Sequence, residues 1–109
     1  MFATSTPETP LKNDSTPSNV LCSCILYLRS LGIPIFGDAD QIIPNATPAI
    51  GNVILLRYSN YHAALITKLT AIGFEIAEAN YTKCTAGTRF IEFDDPAIRG
   101  FWTEKNLTV

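Results

Sequence analysis

Short apolar segments separated by turns fill the second half of the chain and limit it to folds built around a sheet. Residues 53–58 are nearly all apolar, which is typical of a strand buried on both faces. Further extended segments are predicted at residues 62–68, 74–80, 89–93 and 100–103. The third and fourth segments alternate along the chain, as strands with two different faces do. The connections are short, so the strands are expected to form an antiparallel sheet.

One helix is predicted ahead of these strands. Apolar residues over 20–31 recur at helical spacing, and Gly32 then ends the pattern. Either Ser18 or Ser23 is a suitable N-cap, and the second choice places Cys24 in the first helical turn. We therefore predict an α+β fold in which this N-terminal helix packs on an antiparallel sheet of about five strands.

Length and composition limit the organisation and the partners. The 109 residues are 47% hydrophobic and carry a net charge of −2, which suits one small domain. Residues 1–17 are rich in serine, threonine and proline, so we predict a disordered tail followed by a folded domain over residues 18–109. No basic cluster supports nucleic acid binding, and no apolar run approaches the roughly 20 residues of a membrane span. The oligomeric state stays open.

The location of the protein also stays open. The first residues lack the charged-then-apolar order of a secretory leader. The expectation is a phage-encoded or cytoplasmic protein that reaches its substrate by another route, or a protein whose leader has been removed. Three cysteines imply no even set of disulfides and at least one free thiol. That count suits an intracellular or phage-type protein, or a thiol enzyme, better than a disulfide-stapled domain, and it leaves the role of Cys84 undefined.

Cys24 and His62 are the candidate nucleophile and base. Cys24 lies on the predicted helix, and His62, the only histidine, lies in an apolar strand segment. A thiol on a helix that faces an imidazole on a sheet is the arrangement of papain-like cysteine hydrolases. Successive helical residues turn by about 100°, so Cys22 and Cys24 point to opposite sides. Only Cys24 shares the apolar face that would meet the sheet.

Glu78 and Asn80 are the candidate partners of that histidine. Both lie on one face of their predicted strand. If a tight loop near residues 70–72 makes a hairpin, His62 lies opposite one of them. A carboxylate or amide there would accept the imidazole N–H, fix the tautomer and leave the other ring nitrogen for Cys24.

Each of these residues also has an ordinary structural interpretation. Cysteine is commonly buried, and a lone strand histidine often belongs to the core. A metal site of Cys22, Cys24, His62 and Cys84 is a weaker alternative, because the spacing matches no familiar zinc site. The C-S-C sequence likewise lacks the C-x-x-C spacing of thiol oxidoreductases. No metal or cofactor is predicted.

Four short motifs follow one another between residues 18 and 102. They are CILYL at 24–28, PAIGNVIL at 48–55, HAALI at 62–66 and EANY at 78–81. In this order they resemble the motifs of the CHAP family, the cysteine- and histidine-dependent amidohydrolases and peptidases of the NlpC-type, papain-like group. The corresponding family patterns are a Cys-x-x-aromatic-aliphatic helix start, a P-x-x-G-D/N-V turn, an H-V/A-A-x-I/V strand and an E-x-N-Y/W strand. Each motif alone is weak, but their order is specific.

The resemblance implies a papain-like fold and a set of roles. Cys24 is the expected nucleophile and His62 the expected base. Glu78 is expected to orient the histidine, and Asn80 to be a further polar member near the histidine or the oxyanion.

One position departs from the family pattern. Ser23 stands where members often carry asparagine or glutamine. Either the Cys24 backbone N–H stabilises the oxyanion together with the Ser23 hydroxyl, or Cys22 is the nucleophile instead.

The function that the resemblance implies is hydrolysis of peptidoglycan. A cysteine amidase or endopeptidase, endolysin-like, would cut amide bonds of the stem peptide or of the glycan–peptide junction through a thioester. Tyr61, Tyr81 and Ser23 are the candidate substrate-binding residues. Two alternatives stay open, namely a catalytically inactive binding or structural module and a hydrolase of peptide or isopeptide bonds outside the cell wall.

Overall fold

A five-stranded antiparallel sheet makes up most of the molecule. The structure, a computed structural model, describes residues 18–106, so the predicted tail over residues 1–17 lies outside the described residues. The strands are β1 (Val53–Arg57), β2 (Tyr61–Leu69), β3 (Gly73–Ala79), β4 (Ala86–Glu92) and β5 (Ile98–Trp102). Their order in the sheet is β4-β3-β2-β1-β5, so the last strand returns to pair with the first.

The sheet curls so that one of its faces closes on itself. Phe74 of β3 contacts Phe101 of β5, with ring centroids 5.6 Å apart. Two strands lie between β3 and β5, and a flat sheet would keep them about 14 Å apart at the usual strand spacing. Even-numbered residues such as Ile54, Ile66 and Ile76 form the cluster inside this curl. Within residues 18–106, no helix residue belongs to this buried cluster, so the described part of the chain buries this face mainly by the curl of the sheet itself.

The helical part of the chain is short and interrupted. Helix α1 spans Ser18–Leu21 and helix α2 spans Cys24–Ser30. Ser23 separates them with an extended backbone, and its hydroxyl accepts a hydrogen bond from the Leu26 N–H at 3.1 Å. Gly32, in the left-handed region with φ of 93°, follows the end of α2.

The predicted α+β, papain-like fold with an N-terminal helix packed on a sheet is therefore wrong. The described residues form mainly a five-stranded antiparallel sheet with short helical segments. The helical periodicity over 20–31 did not reveal that Ser23 adopts an extended conformation and divides the segment. Helix α2 contributes only Ile25 and Leu28 to a buried cluster whose other members come mostly from the strands. No helix within residues 18–106 has the length and apolar character that a bilayer-spanning segment requires.

Candidate active site

Cys24 is the first residue of α2. The Ser23 cap turns the chain into the helix at this point, which leaves the Cys24 backbone N–H without a partner inside the helix. The side chain is half-buried, and its sulfur is the only one of the three that is not in a disulfide. The start of α2 thus presents a free thiol.

His62 and Glu78 meet where β2 and β3 separate. The ladder between these strands runs from Leu69↔Phe74 to Leu65↔Ala77 and stops there, although both strands continue. Beyond it, His62 Nε2 donates a hydrogen bond to Glu78 Oε1 at 2.8 Å, and both side chains are buried. Because Glu78 occupies Nε2, the nitrogen left for Cys24 is Nδ1.

The charge of His62 is set by its two neighbours. Burial disfavours the imidazolium and lowers the pKa of His62, but hydrogen bonds to Cys24 and Glu78, together with the electrostatic interactions with these two groups, raise it to about 9. The imidazole therefore carries two protons near neutral pH.

Arg89 completes a chain of charged groups behind the histidine. Its Nε donates to Glu78 Oε2, and its Nη2 donates to Glu78 Oε1 at 3.0 Å and to the Tyr58 hydroxyl at 3.1 Å. Burial raises the pKa of Glu78, while the hydrogen bonds and positive charges of His62 and Arg89 lower it, and the resulting pKa lies below the ordinary value of 4.5. Glu78 is thus a buried carboxylate with two cationic partners.

A pocket of about 220 Å³ opens over Cys24 and His62. Its wall includes residues from the turn after β1 and from the end of β3. The lining residues are Cys24, Tyr58, Ser59, Asn60, Tyr61, His62, Asn80 and Tyr81. A second depression of about 420 Å³ shares Ser59, Asn60 and Tyr61 with it and is otherwise lined by Asp38, Ala39, Asp40 and Arg57. The larger depression contains neither a thiol nor an imidazole, so we place the candidate chemistry in the smaller one.

Asn80 lines the pocket, but its side-chain amide bonds to the backbone. Its Nδ2 donates to the Cys22 carbonyl at 3.0 Å, and its Oδ1 accepts from the Cys84 N–H at 2.8 Å. Asn80 itself adopts a φ of 70°, a left-handed conformation that asparagine tolerates better than most residues. These contacts hold the chain just before Cys24 against the end of β3, rather than holding the imidazole.

A disulfide between Cys22 and Cys84 fastens the same region. It removes Cys22 as a nucleophile, and it takes two of the four ligands from the metal alternative. The cysteine count was expected to suit a thiol enzyme better than a domain held by disulfides, but the structure contains this disulfide. The odd cysteine count indicated a free thiol but could not indicate which pair is joined.

The three expected substrate-binding residues differ in position. Tyr61 and Tyr81 are both partly exposed at the pocket wall. Arg57 lies over the Tyr61 ring at 4.4 Å, and Arg89 lies over the Tyr81 ring at 3.5 Å. Ser23 is not in the pocket wall, because its hydroxyl caps α2.

Sequence reasoning missed Arg89 as a member of the site. It lies on the same strand as the buried Ile91, two residues away and therefore on the same face. A cation on a core-facing strand position needs a buried acid nearby, and that is the signal that was available. The sequence did not give the register of β4 against β3, which is needed to name Glu78 as that acid.

Comparisons with known proteins identify no relative of this chain, so the functional argument depends on its own residues. No protein-family model, no curated protein and no solved structure matches this chain. Within residues 18–106, no group of three or more histidine, cysteine, aspartate or glutamate side chains is arranged to hold a metal ion.

Proposed function

We propose that this chain is a cysteine-dependent amidohydrolase or peptidase that cuts amide bonds of peptidoglycan through a thioester. One observation carries the proposal. The free thiol of Cys24 and the imidazole of His62 line the same pocket and interact, while Glu78 binds the second nitrogen of that imidazole. These residues lie in the motifs that resemble the CHAP family.

In the proposed resting state, Cys24 and His62 form a thiolate–imidazolium pair. The raised pKa of His62, about 9, supports it, because the proton then resides on the imidazole near neutral pH. Glu78 stabilises the imidazolium through Nε2 and holds the ring with Nδ1 toward the sulfur.

In the first half-reaction, the Cys24 thiolate attacks the amide carbonyl carbon and a carbon–sulfur bond forms. The carbonyl oxygen becomes an oxyanion, and the Cys24 backbone N–H is the donor that we assign to it. One such donor contributes about 3 kcal/mol to the transition state. The tetrahedral intermediate then collapses, the carbon–nitrogen bond breaks, and His62 gives its Nδ1 proton to the leaving amine.

In the second half-reaction, water hydrolyses the thioester. His62, now neutral, takes a proton from the water as its oxygen attacks the thioester carbonyl. The carbon–sulfur bond breaks, the product leaves as a carboxylic acid, and Cys24 returns to the thiolate. The two half-reactions restore the starting charge on each side chain.

The substrate class rests on the motif resemblance together with the shape of the site. The Cys24 pocket and the larger depression adjoin along Ser59, Asn60 and Tyr61, which makes an open surface cleft. A cleft of this kind suits an extended peptide that passes over the thiol. Peptidoglycan stem peptides have that form, and either amidase or endopeptidase cleavage is compatible with the mechanism.

Purified sacculi test this proposal directly. We expect the wild-type protein to release soluble fragments and Cys24→Ala to release none, with mass spectrometry of the new ends naming the bond. Cys24→Ala must keep the disulfide and the wild-type thermal unfolding transition to serve as the control. Equal release, or none, by the two proteins would end the wall-hydrolase proposal.

Alkylation with iodoacetamide separates the two alternatives. One outcome is that the sacculi stay intact, while Cys24 reacts at neutral pH and reacts more slowly in His62→Ala. This outcome would indicate a hydrolase of other amide bonds. A Cys24 whose reaction does not depend on His62, again with intact sacculi, would indicate a module without turnover. Peptide mapping assigns the label to Cys24.

A further inference from the structure

We propose that Arg89 is a positioning residue of this site, which acts on His62 and Cys24 through Glu78. The catalytic part of this inference rests on the proposed function. Its physical content is independent of the substrate, because it concerns only how the chain holds its own carboxylate.

The first argument is geometric. Arg89 donates hydrogen bonds to both carboxylate oxygens of Glu78, from Nε to Oε2 and from Nη2 to Oε1. A fork of two parallel donors fixes the plane of the carboxylate as well as its distance. Since Oε1 also receives the His62 Nε2–H at 2.8 Å, the plane that Arg89 sets is the plane that His62 meets.

The second argument is electrostatic. Glu78 is only 4% exposed, and a buried carboxylate with one partner would be costly to keep ionised. Arg89 supplies the second cationic partner from β4, the strand next to β3 in the sheet. The carboxylate can therefore stay charged and still face the imidazole.

Arg89 is itself held in place by two aromatic residues. Its Nη2 donates to the Tyr58 hydroxyl at 3.1 Å, and its guanidinium carbon lies 3.5 Å from the centre of the Tyr81 ring. Tyr58 and Tyr81 both line the Cys24 pocket, whereas Arg89 does not. Arg89 thus supports the pocket wall from behind and has no place in the pocket as a ligand of the substrate.

The charged and titratable groups around Glu78 come from every neighbouring element. Among the described residues, His62 of β2 and Arg89 of β4 bind the carboxylate directly. Tyr58, beyond β1, joins through Arg89, and Cys24 of α2 joins through His62. Removal of the Arg89 cation should therefore act first on the protonation of Glu78, and through it on His62 and Cys24.

The test measures the pH dependence of Cys24 alkylation in the full chain. The acid limb is the part of the profile in which the alkylation rate falls as the pH is lowered. In Arg89→Met, Glu78 loses a cationic partner and protonates at higher pH, so we expect the midpoint of this acid limb to move up by about one pH unit. Arg89→Lys keeps a cation near the carboxylate, and its limb should return toward the wild-type position. A limb that stays in place in Arg89→Met overturns the proposal.

Two comparisons exclude a general effect of charge or folding. Arg99→Met removes the same charge from an arginine that does not touch Glu78 and whose Nη1 donates to the Pro96 and Ile98 carbonyls instead, and its acid limb should match the wild type. In a Glu78→Gln background, Arg89→Met should add no further shift, because the group through which it acts is gone. An additive shift there would overturn the proposal. Circular dichroism and thermal unfolding identify variants that do not fold. If Arg89→Met does not fold, the kcat of Arg89→Lys carries the test, and a wild-type kcat would overturn the proposal.

Hydrolysis separates this inference from the proposed function. With a soluble muropeptide, we expect Arg89→Lys to lower kcat about 10- to 100-fold with KM retained, by analogy with the loss of a group that orients a metal-binding histidine or carboxylate. If the acid limb moves in Arg89→Met while wild-type protein leaves peptidoglycan intact, the positioning role is supported and the proposal of a cell-wall substrate is contradicted. If wild-type protein cuts peptidoglycan and neither Arg89 variant changes the limb or kcat, the positioning role falls alone.

Discussion

At the scale of single residues, the site is a row of groups with alternating charge. In the proposed resting state these are the Cys24 thiolate, the His62 imidazolium, the Glu78 carboxylate and the Arg89 guanidinium, each beside a group of opposite sign. Two negative and two positive groups leave the row neutral, so the burial of its middle members is tolerable. The consequence is that a change at any one member should be detectable at His62.

His62 can be observed without assignment, because it is the only histidine of the chain. We expect its imidazole resonances in NMR to titrate with a midpoint of about 9 in the wild type. Cys24→Ala and Glu78→Gln each remove a hydrogen bond and a charge that raise the pKa, so both should move the midpoint down. A wild-type midpoint at 6.5 or below would contradict the interactions that we assign to this residue.

Tyr27 presents a different situation at the same scale. Its hydroxyl is buried with no hydrogen-bond partner among the described residues, and burial raises its pKa to about 12. Tyr27→Phe should therefore raise the free energy of unfolding by about 1 kcal/mol in urea denaturation, because it removes an unsatisfied buried group. Tyr58→Phe is the matched control, since it removes a hydroxyl that accepts from Arg89. A Tyr27→Phe protein less stable than the wild type would mean that the Tyr27 hydroxyl has a partner.

At the scale of elements, the junction between α1 and α2 determines where the thiol lies. Ser23 ends one helical segment and caps the next, Asn80 binds the backbone of Cys22 and Cys84, and the disulfide ties the junction to the turn after β3. Three separate interactions thus hold the two residues before Cys24. A seven-residue helix has little intrinsic stability of its own, so this anchoring replaces it.

The disulfide should therefore matter for stability and for reactivity. It joins residues 62 apart, and we expect Cys22→Ser with Cys84→Ser to lower the free energy of unfolding by about 2–4 kcal/mol. Alkylation of Cys24 at neutral pH should also slow, because the start of α2 is less firmly placed. A chemical reductant should lower the stability of the wild type and leave the double variant unchanged. Equal stability of the double variant and the wild type with its disulfide intact would contradict the anchoring role.

At the scale of the whole molecule, the curl of the sheet brings the site together. The concave face buries an apolar cluster that includes Phe74 and Ile76, and Glu78 continues the same face toward the point where β2 and β3 separate. One end of this face is thus apolar, and the other carries the buried ion pairs. The global stability of the protein should depend on the ionisation of that polar end.

The pH dependence of unfolding tests this connection. The pKa of Glu78 is lower in the folded chain than its ordinary value of 4.5, so its contribution to stability is present above pH 4.5 and is lost as the pH falls through the folded-state pKa. Urea midpoints measured from pH 6 to pH 3 should fall more steeply for the wild type than for Glu78→Gln. Parallel curves would mean that the carboxylate is not stabilised by folding.

Features set by neighbouring residues could be predicted from the sequence. The strands lie at the apolar and alternating segments, although β4 begins at Ala86 rather than at position 89 and β5 at Ile98 rather than at position 100. Ser23, one of the two N-cap candidates in the sequence, caps α2 because its side chain reaches the N–H three residues later. Cys24, His62 and Glu78 could be named as candidates from residue type and order, and the structure brings these three together.

Only the tertiary structure decided the contacts that join distant parts of the chain. The partners of Glu78 are 16 and 11 residues away, and the disulfide spans 62. Such pairings depend on strand register, on the length of each turn and on the curl of the sheet, and no local pattern encodes these. For the same reason the sequence led to the wrong fold class, because a buried apolar face can be covered by a helix or by the sheet itself, and both produce the same alternation.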